Sequence, residues 1–185
     1  MITKWTSIAW RKRNDWIDFY QTPTWCIDKL LEKEIFNKNI HEPCSWAGAI
    51  SKVLEKAWYN VLSQDIREDK GVYWEKWQDL LQYDKPKFWD IVTNPPYFIA
   101  KEFIEKSLTL TEWKVAMLLK LSFLESKWRY EFFKNTPLKK VYVFCKRVNM
   151  YPEWQPMPKN SWTIAYAWYI WEKWYKWEPV IDWII

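Results

Sequence analysis

Glycine is almost missing from this chain: 2 residues in 185, where ordinary usage would supply about 13. Histidine occurs once and cysteine three times. Cys26, Cys44 and Cys145 are odd in number and scattered, which excludes a disulfide framework or zinc pattern and points to a reducing cytoplasm. His41 and Cys44 stand close together, but a lone histidine and a turn cysteine do not make a metal site, so no metal is expected. No stretch of about eighteen apolar residues is present, and Met1-Ile2-Thr3-Lys4 does not open an apolar leader. The expectation is a soluble protein that neither enters a membrane nor is exported.

What is present is a core. The hydrophobic share is 49%, enough for one domain and too much for a disordered chain. Residues 1–19 are polar, basic and poorly periodic and read as an arm, leaving 20–185 as a single domain. The net charge of +5 gathers at Arg11-Lys12-Arg13 and at Lys139, Lys140, Lys146 and Arg147. Such clusters suit a polyanion through phosphate neutralisation, and equally suit a solvated basic surface.

Periodicity alternates along the chain. A helix is predicted from Thr24 through Ile35, capped by Thr22-Pro23-Thr24, then a strand Asn39 to Pro43. Helix Ala49 to Ala57, strand Tyr59 to Ile66 and the apolar strand Phe88 to Thr93 follow. Beyond them come helix Ile99 to Leu108, strand Lys114 to Lys120, helix Leu124 to Phe133, strand Lys140 to Cys145 and a last long strand Thr163 to Trp171. Strands alternating with helices of about ten residues indicate a mostly parallel sheet covered on both faces. Ligands of such sheets bind beyond the carboxyl ends of the strands. The proline-rich stretch Arg147 to Ser161 reads as a substrate loop.

At one of those strand ends stands Asn94-Pro95-Pro96-Tyr97. Two prolines stiffen the backbone and delete two N–H donors, so neighbouring carbonyls are left as acceptors. Asn94 adds a side-chain carbonyl and Tyr97 a flat ring. Together they suit an amino group on a planar ring, with two acceptors for its hydrogens and one face for stacking. Phe98, Phe123 and Tyr151 are the aromatic residues available for an opposite wall, with Phe98 read as core.

This turn resembles motif IV of the S-adenosylmethionine-dependent amino-methyltransferases, especially the DNA adenine-N6 enzymes of compact phage type. Tyr20-Gln21-Thr22-Pro23 is similar to the segment lining the methionine end of the cofactor in that family. His41-Glu42-Pro43-Cys44-Ser45-Trp46-Ala47-Gly48 resembles its acidic-Pro-x-x-Gly-x-Gly turn, Asp65 its ribose-binding carboxylate, and Asp79-Leu80 the pair that meets the cofactor adenine. The resemblance implies a Rossmann-like class I methyltransferase fold, with helices on both faces of a sheet whose final strand is antiparallel. It implies S-adenosylmethionine held by Tyr20, Thr22, Pro23, Glu42, Pro43, Trp46, Gly48, Asp65, Asp79 and Leu80. It also implies catalysis by Asn94, Pro95, Pro96 and Tyr97 on an adenine flipped out of DNA. Alternatives are an RNA base, the glutamine side chain of a release factor, or a non-catalytic nucleic-acid-binding relative with its cofactor loop blocked by Trp46.

Trp46 departs from that pattern, because the family's turn takes glycine there. An indole is expected to occupy the pocket or push the loop open. Other tryptophans share the displacement: Trp58 follows a helix where glycine would end it, and Trp113, Trp128, Trp162, Trp174 and Trp177 stand at element ends. Trp25, Trp89, Trp168, Trp171 and Trp183 sit inside apolar patterns. Returning the other thirteen of the 18 tryptophans to glycine gives fifteen glycines, close to ordinary usage. The pattern is that of UGA codons, meaning glycine in the source, read as tryptophan.

Overall fold

The computed structural model describes residues 20–68, 70–84, 89–150 and 164–185. The basic arm, Phe88, Tyr151, Trp162 and the loop from residue 151 onward lie outside the described residues. Helices α1 (Thr24–Leu31), α2 (Ala49–Lys56), α3 (Ala100–Leu110) and α4 (Lys127–Lys134) alternate with strands β1 (Asn39–Glu42), β2 (Asn60–Ser63), β3 (Asp90–Thr93), β4 (Lys114–Lys120) and β5 (Leu138–Phe144). Strands β6 (Tyr166–Glu172) and β7 (Val180–Ile184) close the chain. They form one sheet in the order β2-β1-β3-β4-β6-β5-β7. β1, β2, β3 and β4 are mutually parallel, β6 runs antiparallel between β4 and β5, and β7 is parallel to β5.

Period-2 alternation builds a core on each face. From β4, Ala116 and Leu118 face one side with Trp168 and Ile170 of β6, against Ile27 and Leu30 of α1 and Leu54 of α2. Val115, Met117 and Leu119 face the other side with Tyr169 and Trp171, against Phe103 and Ile104 of α3 and Phe132 of α4. This is the covered, mostly parallel α/β sheet that the alternation predicts.

One expectation needs correction. The antiparallel strand is not the final one, because β7 follows it as a parallel edge strand. β7 escapes a reading by pattern because its apolar residues do not mark a core: Val180, Ile181 and Trp183 are all exposed. Trp183 is therefore a strand residue without being a core one. Nor do the side chains of Thr22 and Thr24 cap α1: Pro23 holds the N-cap position with no side-chain hydrogen bond.

At the amino ends of the strands lies a buried polar cluster. Lys114 Nζ is 2.6 Å from Glu34 Oε2, both side chains being buried, and it also donates to the Ile35 carbonyl at 2.8 Å. Tyr142 Oη donates to Glu34 Oε1 at 2.7 Å. Asp90 accepts the backbone N–H groups of Asn37 (2.6 Å) and Lys114 (3.0 Å). Burial raises its carboxyl to about 6, against the pull of those two N–H groups. Because the folded carboxyl keeps its proton to a higher pH than the unfolded one, its contribution to stability is full at low pH and is lost as pH rises through about 6. Asp90→Asn is expected to flatten the fall of stability between roughly pH 4 and 7. Urea melts across that range check this, and an unchanged slope would refute it.

Candidate active site

The four parallel strands β1 to β4 end on one edge, and the segments that follow β1, β2 and β3 enclose a cavity of about 630 Å³. That volume suits a nucleotide-sized molecule. Glu42 and Pro43 end β1, Asp65 follows β2, and Asn94 and Pro96 follow β3, all in the cavity wall. Tyr20 and Thr22 line it too, as do Asp79, Leu80, Phe98 and Ile99. Of the residues that the sequence singles out, Tyr20, Thr22, Glu42, Pro43, Trp46, Asp65, Asp79, Leu80, Asn94 and Pro96 therefore meet in one place.

Pro23, Gly48, Pro95 and Tyr97 do not line it. Pro23 and Gly48 instead cap α1 and α2. Gly48 has φ 77°, and a Cβ there would lie 2.5 Å from Cγ of Tyr73, so no other residue fits. Tyr97 stands just outside the wall, its ring 5.9 Å from that of Tyr166 and 4.8 Å from Lys120 Nζ. Phe98 is half exposed and lines the cavity, against its reading as core, whereas Phe123 is buried among Phe132, Phe133 and Tyr169.

The Asn94 amide is held from one side. Its Nδ2 donates to the Tyr20 carbonyl at 3.3 Å and to Thr22 Oγ1 at 3.1 Å. Its Oδ1 is buried and has no hydrogen-bond partner among the described residues. A buried amide oxygen left unpaired costs on the order of 1–3 kcal/mol, so it is poised to accept a donor from a ligand. Thr22 thus orients Asn94 instead of capping a helix, a role no local pattern announces.

Acidic groups mark the other side. Asp65 Oδ2 accepts the N–H of Trp46 at 3.0 Å and its Oδ1 that of Arg67 at 2.9 Å, which pins the β1 turn to the end of β2. Burial above all pushes the Glu42 carboxyl well up, with the hydrogen bond from Ser51 opposing and Asp65 and Glu55 adding to the rise. Burial likewise pushes the Cys44 thiol up, Asp65 next. A neutral thiol is a poor nucleophile and metal ligand. Among the described residues no cluster of His, Cys, Asp and Glu could hold a metal ion, and no helix is long and apolar enough to cross a membrane.

The Trp46 indole forms part of the wall beneath the Arg67 guanidinium, 5.3 Å from the ring centroid.

No family model and no curated protein matches the chain. Solved structures do share its fold. The modification subunit of a candidate type I restriction enzyme from Vibrio vulnificus superposes with TM-score 0.60 at 11% identity, covering 95% of this chain and 49% of its own length. A candidate RNA methyltransferase from Pyrococcus horikoshii gives 0.58 at 13%, covering 83% and 86%. Magnesium protoporphyrin IX methyltransferase from Synechocystis, solved with bound S-adenosylmethionine, gives 0.52 at 10%, covering 81% and 79%. This chain spans about half the restriction subunit's length. At such identities the likeness is one of fold, and the fold is that of the class I methyltransferases.

Proposed function

We propose that this chain is an S-adenosylmethionine-dependent N-methyltransferase whose target is the exocyclic amino group of adenine in DNA. The observation that carries the proposal is the Asn94 amide in the wall of a nucleotide-sized cavity, its Nδ2 already spent on Tyr20 and Thr22 and its Oδ1 left without a hydrogen-bond partner among the described residues.

The residues present fit the methyl donor. Glu42 and Asp65 offer two carboxyl groups to a cationic nucleoside, while Leu80, Phe98 and Ile99 offer apolar surface to its base. When bound, S-adenosylmethionine supplies a methyl group on an electrophilic sulfonium, so no covalent enzyme intermediate is required. The difficulty lies in the acceptor, whose nitrogen lone pair is delocalised into its ring. On this reading the acceptor nitrogen sits at the cavity rim beside Asn94. There Asn94 Oδ1 accepts one N–H and the carbonyl of Pro95, the next residue and itself outside the cavity wall, accepts the other, which favours a tetrahedral nitrogen and stabilises the positive charge developing on it. Holding that nitrogen beside the donor supplies much of the remaining acceleration. Tyr97 offers its ring for stacking, with Lys120 and Tyr166 fixing it. A base within a duplex cannot reach this edge, so it must be flipped out.

Transfer of tritiated methyl groups onto unmethylated DNA, RNA and peptide tests the proposal. Label in the adenine of DNA is the expected result. Label only in RNA or in a glutamine side chain would move the substrate, and label nowhere would leave a binding protein.

Glu42 gives a second prediction. A cationic donor favours the ionised carboxylate, so binding should release a proton and tighten as pH rises. Calorimetry in two buffers of different ionisation enthalpy measures that proton. Glu42→Gln should abolish its release, and equal heats for the unaltered chain in both buffers would refute the assignment.

A further inference from the structure

At five positions the residue and the backbone disagree. Six described non-glycine residues have a left-handed φ: Trp46 (39°), Trp58 (68°), Trp74 (66°), Trp77 (61°), Trp174 (78°) and Ser126 (120°). Outside glycine such torsions are uncommon, fall mostly to Asn and Asp, and are outliers for bulky residues. Here five of six are tryptophan.

At two of these positions the local hydrogen bonds define a turn that calls for glycine. After α2, Trp58 N–H donates to the Glu55 carbonyl at 2.9 Å and Tyr59 N–H to the Leu54 carbonyl at 3.1 Å. Those two bonds define the Schellman motif, whose left-handed residue is usually glycine. Trp174 is the third residue of a turn closed by Tyr175 N–H on the Glu172 carbonyl at 2.9 Å, where a positive φ again selects glycine. Nor does burial offset the strain: Trp58, Trp74, Trp77 and Trp174 are 82%, 69%, 62% and 75% exposed. Trp168 and Trp171 contrast with them, being extended strand residues that are fully buried. The chain therefore holds tryptophans that the fold uses as tryptophan and others that it uses as glycine.

Replacement of one residue type by one other, at scattered positions, has a simple cause in a single triplet. Tryptophan has the regular codon UGG, and UGA differs from the glycine codon GGA only at its first base. We infer that residues 46, 58, 74, 77 and 174 are glycine in the native protein, encoded by UGA triplets that its source reads as glycine. The torsions do not extend this to Trp113, Trp128 and Trp177, which share with the five only a place at element ends. For the site, and resting on the proposed cofactor, glycine at 46 removes the indole from the wall and lets the β1 turn's backbone border the donor directly.

The gene decides first. UGA at the five positions with UGG at Trp168 and Trp171 is expected, and UGG at the five would overturn the inference. The folded chain decides independently, by comparing the full-length protein as written with a version carrying Trp46→Gly, Trp58→Gly, Trp74→Gly, Trp77→Gly and Trp174→Gly. The glycine version should melt on the order of 10 °C higher, or fold where the other does not. An equal or lower melting temperature would overturn the inference, while Trp168→Gly should lower it. Titration with S-adenosylmethionine separates the two proposals. UGA codons and higher stability without donor binding would defeat the cofactor reading and leave the glycine assignment standing.

Discussion

Asn94→Ala is expected to lower methyl transfer by about 10²–10³-fold, the usual effect of deleting one group that stabilises developing charge. Affinity for S-adenosylmethionine should change little, because the carboxyl groups and apolar residues proposed to hold it stand elsewhere in the wall. Two further variants separate chemistry from positioning. Asn94→Asp keeps an oxygen but loses the donations to Tyr20 and Thr22, so it should be nearly as impaired as the alanine variant. Thr22→Val removes one of those acceptors at nearly constant volume and should reduce turnover only partly, since the Tyr20 carbonyl still holds the amide. Single-turnover rates and donor binding for the three variants make the check. Unchanged turnover in Asn94→Ala would remove this residue from the mechanism.

The largest stability effect is expected at the other end of the strands. Glu34→Ala leaves the Lys114 ammonium buried against the Ile35 carbonyl with Glu172 at 3.8 Å as its remaining carboxylate, and it strips Tyr142 Oη of its 2.7 Å acceptor. Removing one partner of a buried pair costs roughly 3–5 kcal/mol, a large part of the 5–15 kcal/mol that holds a typical domain together. Substituting both residues, Glu34→Leu with Lys114→Met, should recover much of that loss because no uncompensated charge remains. Urea melts of the single and double variants measure this coupling. If the single variant melted like the parent, the pair would be structurally idle.

Some of this organisation is legible in local pattern. The unbroken apolar run Val115–Leu119 announces a strand buried on both faces, and the Ala49–Lys56 helix follows from Ile50, Val53 and Leu54 at helical spacing. The Asn-Pro-Pro-Tyr turn is visible because proline acts on its own backbone. Trp58 and Trp174 are legible as misfits, since a helix end and a turn carry local torsional demands. Other features have no local signature. β7 hides because its apolar residues do not follow burial: Val180, Ile181 and Trp183 are exposed at the sheet edge and only Ile184 reaches the core. Phe98 reads as core because an aromatic residue beside an apolar helix looks the same whether it meets a core or a cavity.

The amino-acid sequence by itself determined the order of strands and helices as far as β6, the place of the diproline corner and the positions that want glycine, because each depends on torsions and periodicities within a few residues. Tertiary structure alone decided which way the Asn94 amide points, since its partners Tyr20 and Thr22 lie 74 and 72 residues away. It likewise decided that Lys114 meets Glu34 across 80 residues. Hydrogen bonds and ion pairs between distant segments are set by how the sheet brings its edges together, and no spacing along the chain encodes that.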